Sequence, residues 1–193
     1  MGNPGGEYSA TRHNLGFVVV ERLARELGVR EGARAECRSL VVEASSALLS
    51  QPQTYMNRSG AAVRCLAERY ELATADLLVV YDEVHLPLGR IRLRPGGGPG
   101  GHRGMESIVE TLCTEGIPRL RLGVGPVPEA LAQTAAEGLA AFVLAPFLAE
   151  ERPAAEAMID RAVATCRIWL ESGIELAMNR VNLPDLPETA KPS

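Results

Sequence analysis

The sequence predicts an α/β fold: a single domain with a twisted, mixed, mainly parallel sheet and helices on both faces. Strand-like apolar runs alternate with amphipathic helical stretches along the chain. The 193 residues, 46% of them apolar, suit one domain with a substantial core. We expect this domain over residues 1–182 and a disordered tail over 183–193, where "LPDLPETAKPS" has turns set by prolines and no periodicity.

Each predicted element has a local signal. Apolar residues at helical spacing precede Gly28, a suitable helix end, and Ser59 is a suitable N-cap for the next helix. The predicted helices cover 17–28, 59–72, 104–116 and a long segment that begins near Pro153 and breaks at Gly173. The predicted strands cover 39–52, as two short strands or a hairpin, 76–83 and 118–125.

Composition excludes several classes of protein. No apolar run approaches the length of a membrane span, and "MGNPGGEY" lacks the regions of a secretory signal, so we expect a cytoplasmic protein with no membrane contact. The four cysteines contain no CxxC pair, which predicts free thiols rather than a zinc site or a disulfide framework. They are Cys37, Cys65, Cys113 and Cys166.

The net charge of −4 does not indicate a nucleic-acid partner, but the arginines are clustered. Those around the glycine-rich stretch are Arg90, Arg92, Arg94 and Arg103, and Arg119 and Arg121 alternate along a predicted strand. They form either a basic patch or an ordinary solvated surface. "RLRPGGGPGGHRG" predicts a flexible loop that leads into a helix N-terminus, either a clamp over an anionic substrate with His102 at its far end or a plain linker.

Two polar positions could form a catalytic pair. His13 lies in the polar stretch "TRHNLGF" ahead of a helix, and Asp82 lies at the carboxyl end of a buried strand. With no serine or cysteine nucleophile nearby, such a pair suits activation of water. A purely structural histidine is the alternative, and Glu83 and His85 compete with Asp82 by adjacency.

Two asparagines are further candidates for the site. Asn3 lies in the tight turn "GNPGGEY", whose glycine spacing does not match a dinucleotide-binding fingerprint. Asn57 lies in "PQTYMNRSG", where its amide could hold a peptide or an oxyanion, or could merely form a turn.

Together these motifs resemble the bacterial-type peptidyl-tRNA hydrolases over residues 1 to about 182. The matching segments are "GNPGGEYSATRHNLGF", "QPQTYMNRSG", "VVYDEVHLPLGRIRLRPGGGPGGHRGMESI", "PRLRLGVG", "FVLAPF" and "AMNRVN". The resemblance implies a monomeric enzyme without metal or organic cofactor. It would cleave the ester between a peptide and the 3′ ribose of tRNA and contact the acceptor stem and 3′ end.

The resemblance also implies residue roles. His13 would be the general base, Asp82 would stabilise it, and Asn3 would check that the substrate amine is blocked. The implied contacts to tRNA and peptide are Tyr8, Tyr55, Asn57, His102, Arg103, Arg94 and Arg121.

The sequence departs from the family pattern in places. Arg103 stands where the family has asparagine, and it offers donors only. Gln51 replaces a lysine and His85 an aspartate. The family's apolar first strand does not precede Gly2, so either the true start lies upstream, which we favour, or the sheet lacks that strand. In the second case we expect low stability or dependence on a partner.

Two other functions are compatible with parts of the sequence. A non-catalytic RNA-binding relative, like the organellar intron-splicing factors, would need the arginines but not His13 and Asp82. An esterase for small acyl groups would not need the arginine-glycine segment, and no GxSxG motif is present.

Overall fold

The computed structural model describes residues 1–29, 32–44 and 46–182, so the predicted tail lies outside the described residues. The helices are α1 (Leu15–Glu26), α2 (Ser59–Arg69), α3 (Arg103–Leu112), α4 (Glu129–Ala132), α5 (Ala135–Val143) and α6 (Arg152–Val181). The strands are β1 (Arg34–Glu36), β2 (Ser39–Ala44), β3 (Ala47–Pro52), β4 (Val79–Pro87), β5 (Ile91–Arg94) and β6 (Arg119–Gly125). All predicted helices and strands overlap these elements, while β1, α4 and α5 carry no prediction. The loop predicted from Arg92 onward is wrong at its start, because residues 92–94 belong to β5 and pair with β6. Gly173 interrupts α6 with a non-helical backbone, which confirms the predicted break.

The strands form two sheets of three, which confirms the α/β class but divides the single sheet expected above. β1, β2 and β3 form an antiparallel sheet that contains the predicted hairpin. The other sheet has the order β4–β6–β5, with β4 parallel and β5 antiparallel to β6. The parallel pair is possible because α3 lies in the crossover before β6, whereas β5 needs only a short turn after β4. In the part of the chain that the structure describes, parallel pairing is thus confined to β4 and β6.

Both faces of β4 are covered by helices. Val80 packs in the core layer that includes α1 and α6, whereas Val79 and Tyr81 pack with Met105 and other residues of α3. This alternation follows from the pleat of a strand. Asp82 comes next in β4 and contacts both His13, just ahead of α1, and His102, just ahead of α3. No helix among the described residues has the length and apolar character that a membrane span requires.

An apolar cavity of about 590 Å³ lies between β3 and β4, with Val19, Leu49 and Trp169 among its lining residues. Among the described strands β4 pairs only with β6, and its other edge borders this cavity. Met1 lies at that edge, and its amino group donates a hydrogen bond to the carbonyl of Val80. Burial lowers the pKa of this amino group to about 5. The low stability or partner dependence considered above remains a prediction.

The prediction of four free thiols is wrong for two of the cysteines. Cys37 and Cys65 form a disulfide, with their Cα atoms 5.5 Å apart. The turn between β1 and β2 places Cys37 and Arg38 at positive φ, which brings the turn to α2. A contact across 28 residues leaves no spacing signal in one sequence. Cys113 is exposed and Cys166 is buried, and both are free.

Candidate active site

The structure brings His13 and Asp82 together. Nδ1 of His13 lies 2.9 Å from Oδ1 and 3.0 Å from Oδ2 of Asp82. An ionised carboxylate only accepts hydrogen bonds, so Nδ1 carries the proton and donates, and Nε2 keeps a lone pair. Glu83 and His85, which compete with Asp82 in the sequence, instead pair with each other.

Asp82 remains ionised although it is only 2% exposed. Burial by itself would raise the pKa of its carboxyl group. Hydrogen bonds from His102 and His13 outweigh burial and hold the pKa well below its ordinary range. The carboxylate therefore has a fixed charge next to His13.

His102 is the second partner of Asp82. Nε2 of His102 lies 3.2 Å from Oδ1 of Asp82, and its side chain is 8% exposed. Among the described residues, His13, Asp82 and His102 are a group whose ligand atoms, all within 4.8 Å of one another, could hold a metal ion. A metal-bound imidazole donates its other ring N–H, but Nδ1 of His102 accepts one from the amide of Met105. The arrangement of these three side chains is therefore better explained by hydrogen bonds among them than by a bound metal ion.

Asn3 is held between two segments of the site. Its backbone N–H donates to Oδ1 of Asn14, and the amide of Asn14 donates back to its carbonyl, each at 2.9 Å. Oδ1 of Asn3 accepts from the backbone N–H of Met56, also at 2.9 Å. The remaining polar group of the Asn3 side chain is the donor Nδ2. No pattern in the sequence indicates a role for Asn14, which lies eleven residues from its partner.

Three of the predicted substrate contacts lie in or beside two short turns next to Asn3. Tyr55 is 61% exposed and precedes the turn Met56–Arg58, which carries the exposed Asn57. Tyr8 is half-buried in the turn Gly6–Tyr8. An exposed aromatic ring beside polar amides could stack on an unpaired base.

Arg12 is a buried residue that sequence reasoning did not select. It is 3% exposed and lies between the rings of Phe142 and Phe147, 4.6 and 5.0 Å from their centroids. Its guanidinium donates to the carbonyl of Pro146 at 2.7 Å and to the carboxylate of Glu151. Arg12 thus ties the turn that carries His13 to the segment between α5 and α6. Its position next to His13 in the sequence is the one available signal.

The predicted arginine cluster divides into exposed and occupied members. Arg92, Arg94 and Arg103 are exposed and pair with no acid among the described residues, and Arg90 is exposed nearby. Arg121 instead donates to Oε2 of buried Glu83 at 2.6 and 2.8 Å, so it is only 23% exposed. Burial would raise the pKa of Glu83, but hydrogen bonds from His85 and Arg121 lower it.

Arg119 does not belong to the exposed cluster that its spacing suggested. It is 2% exposed and donates to the carbonyls of Gly98 at 2.9 Å and of Glu115 and Ile117 at 3.0 Å. The amide of Gly97 donates to the same Glu115 carbonyl at 2.9 Å. The glycine-rich segment is therefore anchored at these points.

Comparison with known proteins identifies the family. Residues 1–191 match the family described as peptidyl-tRNA hydrolase. The chain belongs to the peptidyl-tRNA hydrolase family. A peptidyl-tRNA hydrolase of Methylacidiphilum infernorum is 43% identical, covering 94% of this chain and 95% of that protein. One of Aquifex aeolicus is 41% identical, with coverage of 96% and 95%.

Solved structures of peptidyl-tRNA hydrolases agree with this assignment. The crystal structure of the Acinetobacter baumannii enzyme matches with a TM-score of 0.83 and 34% identity, covering 94% of this chain and 91% of that one. The fold therefore agrees with that of solved peptidyl-tRNA hydrolases.

Proposed function

We propose that this member of the peptidyl-tRNA hydrolase family hydrolyses the ester between a peptide and the 3′ ribose of tRNA. The observation that carries the proposal is the buried pair of His13 and Asp82, which leaves Nε2 of His13 able to accept a proton. Nε2 takes a proton from water, and the resulting hydroxide attacks the ester carbonyl. When the tetrahedral intermediate breaks down, the ribose 3′ oxygen leaves and takes the proton back from His13.

Asp82 stabilises the imidazolium that forms during this reaction, because its negative charge lies at Nδ1. An ester is reactive enough for water and one base, so the mechanism needs no covalent nucleophile, metal ion or organic cofactor.

Asn3 distinguishes blocked from free amines in this proposal. With Oδ1 occupied by the amide of Met56, Asn3 presents the donor Nδ2 to the substrate. A peptide carbonyl accepts such a bond, whereas a free ammonium group has only donors and is disfavoured. The enzyme would therefore spare aminoacyl-tRNA.

The exposed arginines bind the acceptor stem. Arg94 and Arg103 would contact phosphates, and Arg121 would do so while it remains paired with Glu83. Tyr8, Tyr55 and Asn57 would contact the 3′ end and the peptide. His13, Asp82 and Asn3 come from one chain, so a monomer would suffice for the reaction, which we place in the cytoplasm.

The deciding experiment measures release of tRNA from N-acetyl-aminoacyl-tRNA and from unblocked aminoacyl-tRNA. We expect turnover of the blocked substrate only, and a loss of about 10²–10⁴-fold in His13→Ala. His85→Ala is the matched control, because His85 is exposed. A folded wild-type chain that binds tRNA without turnover would contradict the proposal and favour the RNA-binding alternative.

A further inference from the structure

The hydrogen bonds of His102 determine where its proton lies. Residue 102 is the N-cap of α3, and Nδ1 accepts from the backbone N–H of Met105 at 3.3 Å. An acceptor nitrogen carries no proton, so in the neutral ring the proton is on Nε2. Nε2 then donates to Oδ1 of Asp82, 3.2 Å away. The start of a helix thus selects the tautomer that can bind the carboxylate.

His13 and His102 share the same acceptor. Both rings donate to Oδ1 of Asp82, and His13 also lies 3.0 Å from Oδ2. The two ring centroids are 5.1 Å apart, and the ring of Tyr81 lies 4.6 Å from that of His102. His102 therefore has contacts on its ring face and at both nitrogens.

We propose that His102 is a positioning residue that fixes the orientation of the Asp82 carboxylate and limits how strongly it binds His13. This inference rests on the proposed role of His13 as the base. A carboxylate that accepts two N–H groups divides its charge between them, so each bond is weaker than one bond alone. Through Asp82, His102 thus keeps His13 oriented. It also makes the imidazolium form of His13 less stable than it would be if Asp82 bound His13 alone.

Other charged groups near Asp82 act in parallel. The pKa shift of the Met1 amino group includes an attraction to Asp82, and the amino end of α3 carries a partial positive charge. Tyr81 is buried and its pKa is raised by burial, so it stays neutral. The Met1 amino group and the backbone of α3 are kept when residue 102 alone is replaced, so a change in the behaviour of His13 reports on the His102 side chain.

His102→Asn separates the two hydrogen bonds of this side chain. Asparagine is a favoured N-cap and can accept from the Met105 amide, but its short side chain does not reach Asp82. We expect near wild-type thermal unfolding and a fall in kcat of about tenfold from misorientation. We also expect the acid limb of the kcat/KM profile to move to higher pH, because Asp82 then stabilises the imidazolium of His13 alone. His102→Ala removes the cap as well and should lower the melting temperature.

Nitrogen-15 NMR of the imidazole rings tests the same inference without activity. The chain has three histidines, so His85→Ala and His102→Asn suffice to assign the signals. We expect an unprotonated Nδ1 and a protonated Nε2 in His102, and a His13 titration midpoint at higher pH in His102→Asn. The opposite tautomer, or an unchanged His13 midpoint together with an unchanged pH profile, would overturn the inference. An inactive wild type with the expected tautomer and midpoint shift would contradict the proposed function alone.

Discussion

The buried end of the site and its arginine surface are built in opposite ways. Around Asp82, donors and acceptors are matched within the protein, and Asp82 itself is nearly inaccessible. Around β5, Arg92 and Arg94 are exposed and pair with no acid among the described residues. The first region provides fixed geometry, and the second provides charge with little geometry. Substitutions should therefore alter rate in the first region and affinity in the second.

The largest expected effect is that of Asp82→Asn. It should lower kcat/KM by about 10³–10⁴-fold. The neutral amide cannot stabilise the imidazolium as the carboxylate does, and its NH₂ group donates where the carboxylate accepted from a histidine. Affinity for deacylated tRNA should change less than about twofold, since Asp82 is buried away from phosphates. Steady-state kinetics and fluorescence titration with tRNA measure the two quantities. An equal loss of both would show that the division between the two regions is wrong.

Arg12→Met should destabilise the protein by about 3 kcal/mol, because it leaves Glu151 and several carbonyls without their cation. Glu151→Gln keeps the buried arginine and can still accept a hydrogen bond, so its effect should be smaller. Chemical denaturation measures both. A larger effect of Glu151→Gln than of Arg12→Met would contradict this order.

Asn3→Ala should reduce turnover of N-acetyl-aminoacyl-tRNA by about 10–100-fold and reduce discrimination against the unblocked substrate. The donor Nδ2 is lost, while Asn14 can still hold the backbone of residue 3. The ratio of kcat/KM for the two substrates is the measurement. Retention of the full ratio in the variant would remove Asn3 from the discrimination step.

The smallest effect should come from the arginine surface. Arg94→Ala should weaken tRNA binding by about 1 kcal/mol and reduce the salt slope of log Kd by about one, with kcat unchanged. Arg64→Ala is the matched control, because Arg64 is exposed on α2 and pairs with Glu68. Titrations at several salt concentrations test this, and an equal change in the control would count against a local binding surface.

Sequence reasoning was effective where one element determines the outcome. It located His13 ahead of a helix and Asp82 in a buried strand, because each position depends on a local pattern. It did not identify the pairing of Asn3 with Asn14 or the disulfide of Cys37, because each requires two separate segments in contact. It also missed the tautomer of His102, which depends on the geometry of the first turn of α3 rather than on residue type. Arg119 was misassigned because alternation gives the face of a strand but not what covers that face.

The anchored glycine segment bears on the entropy of association. Arg119 holds the carbonyls of Gly98 and Glu115 in the free protein, so this part of the proposed RNA-binding surface does not have to be ordered on contact. Conformational freedom lost on binding reduces affinity, and a surface that is already ordered avoids that loss. The buried Arg119 would thus favour formation of the proposed RNA complex without contacting a phosphate itself.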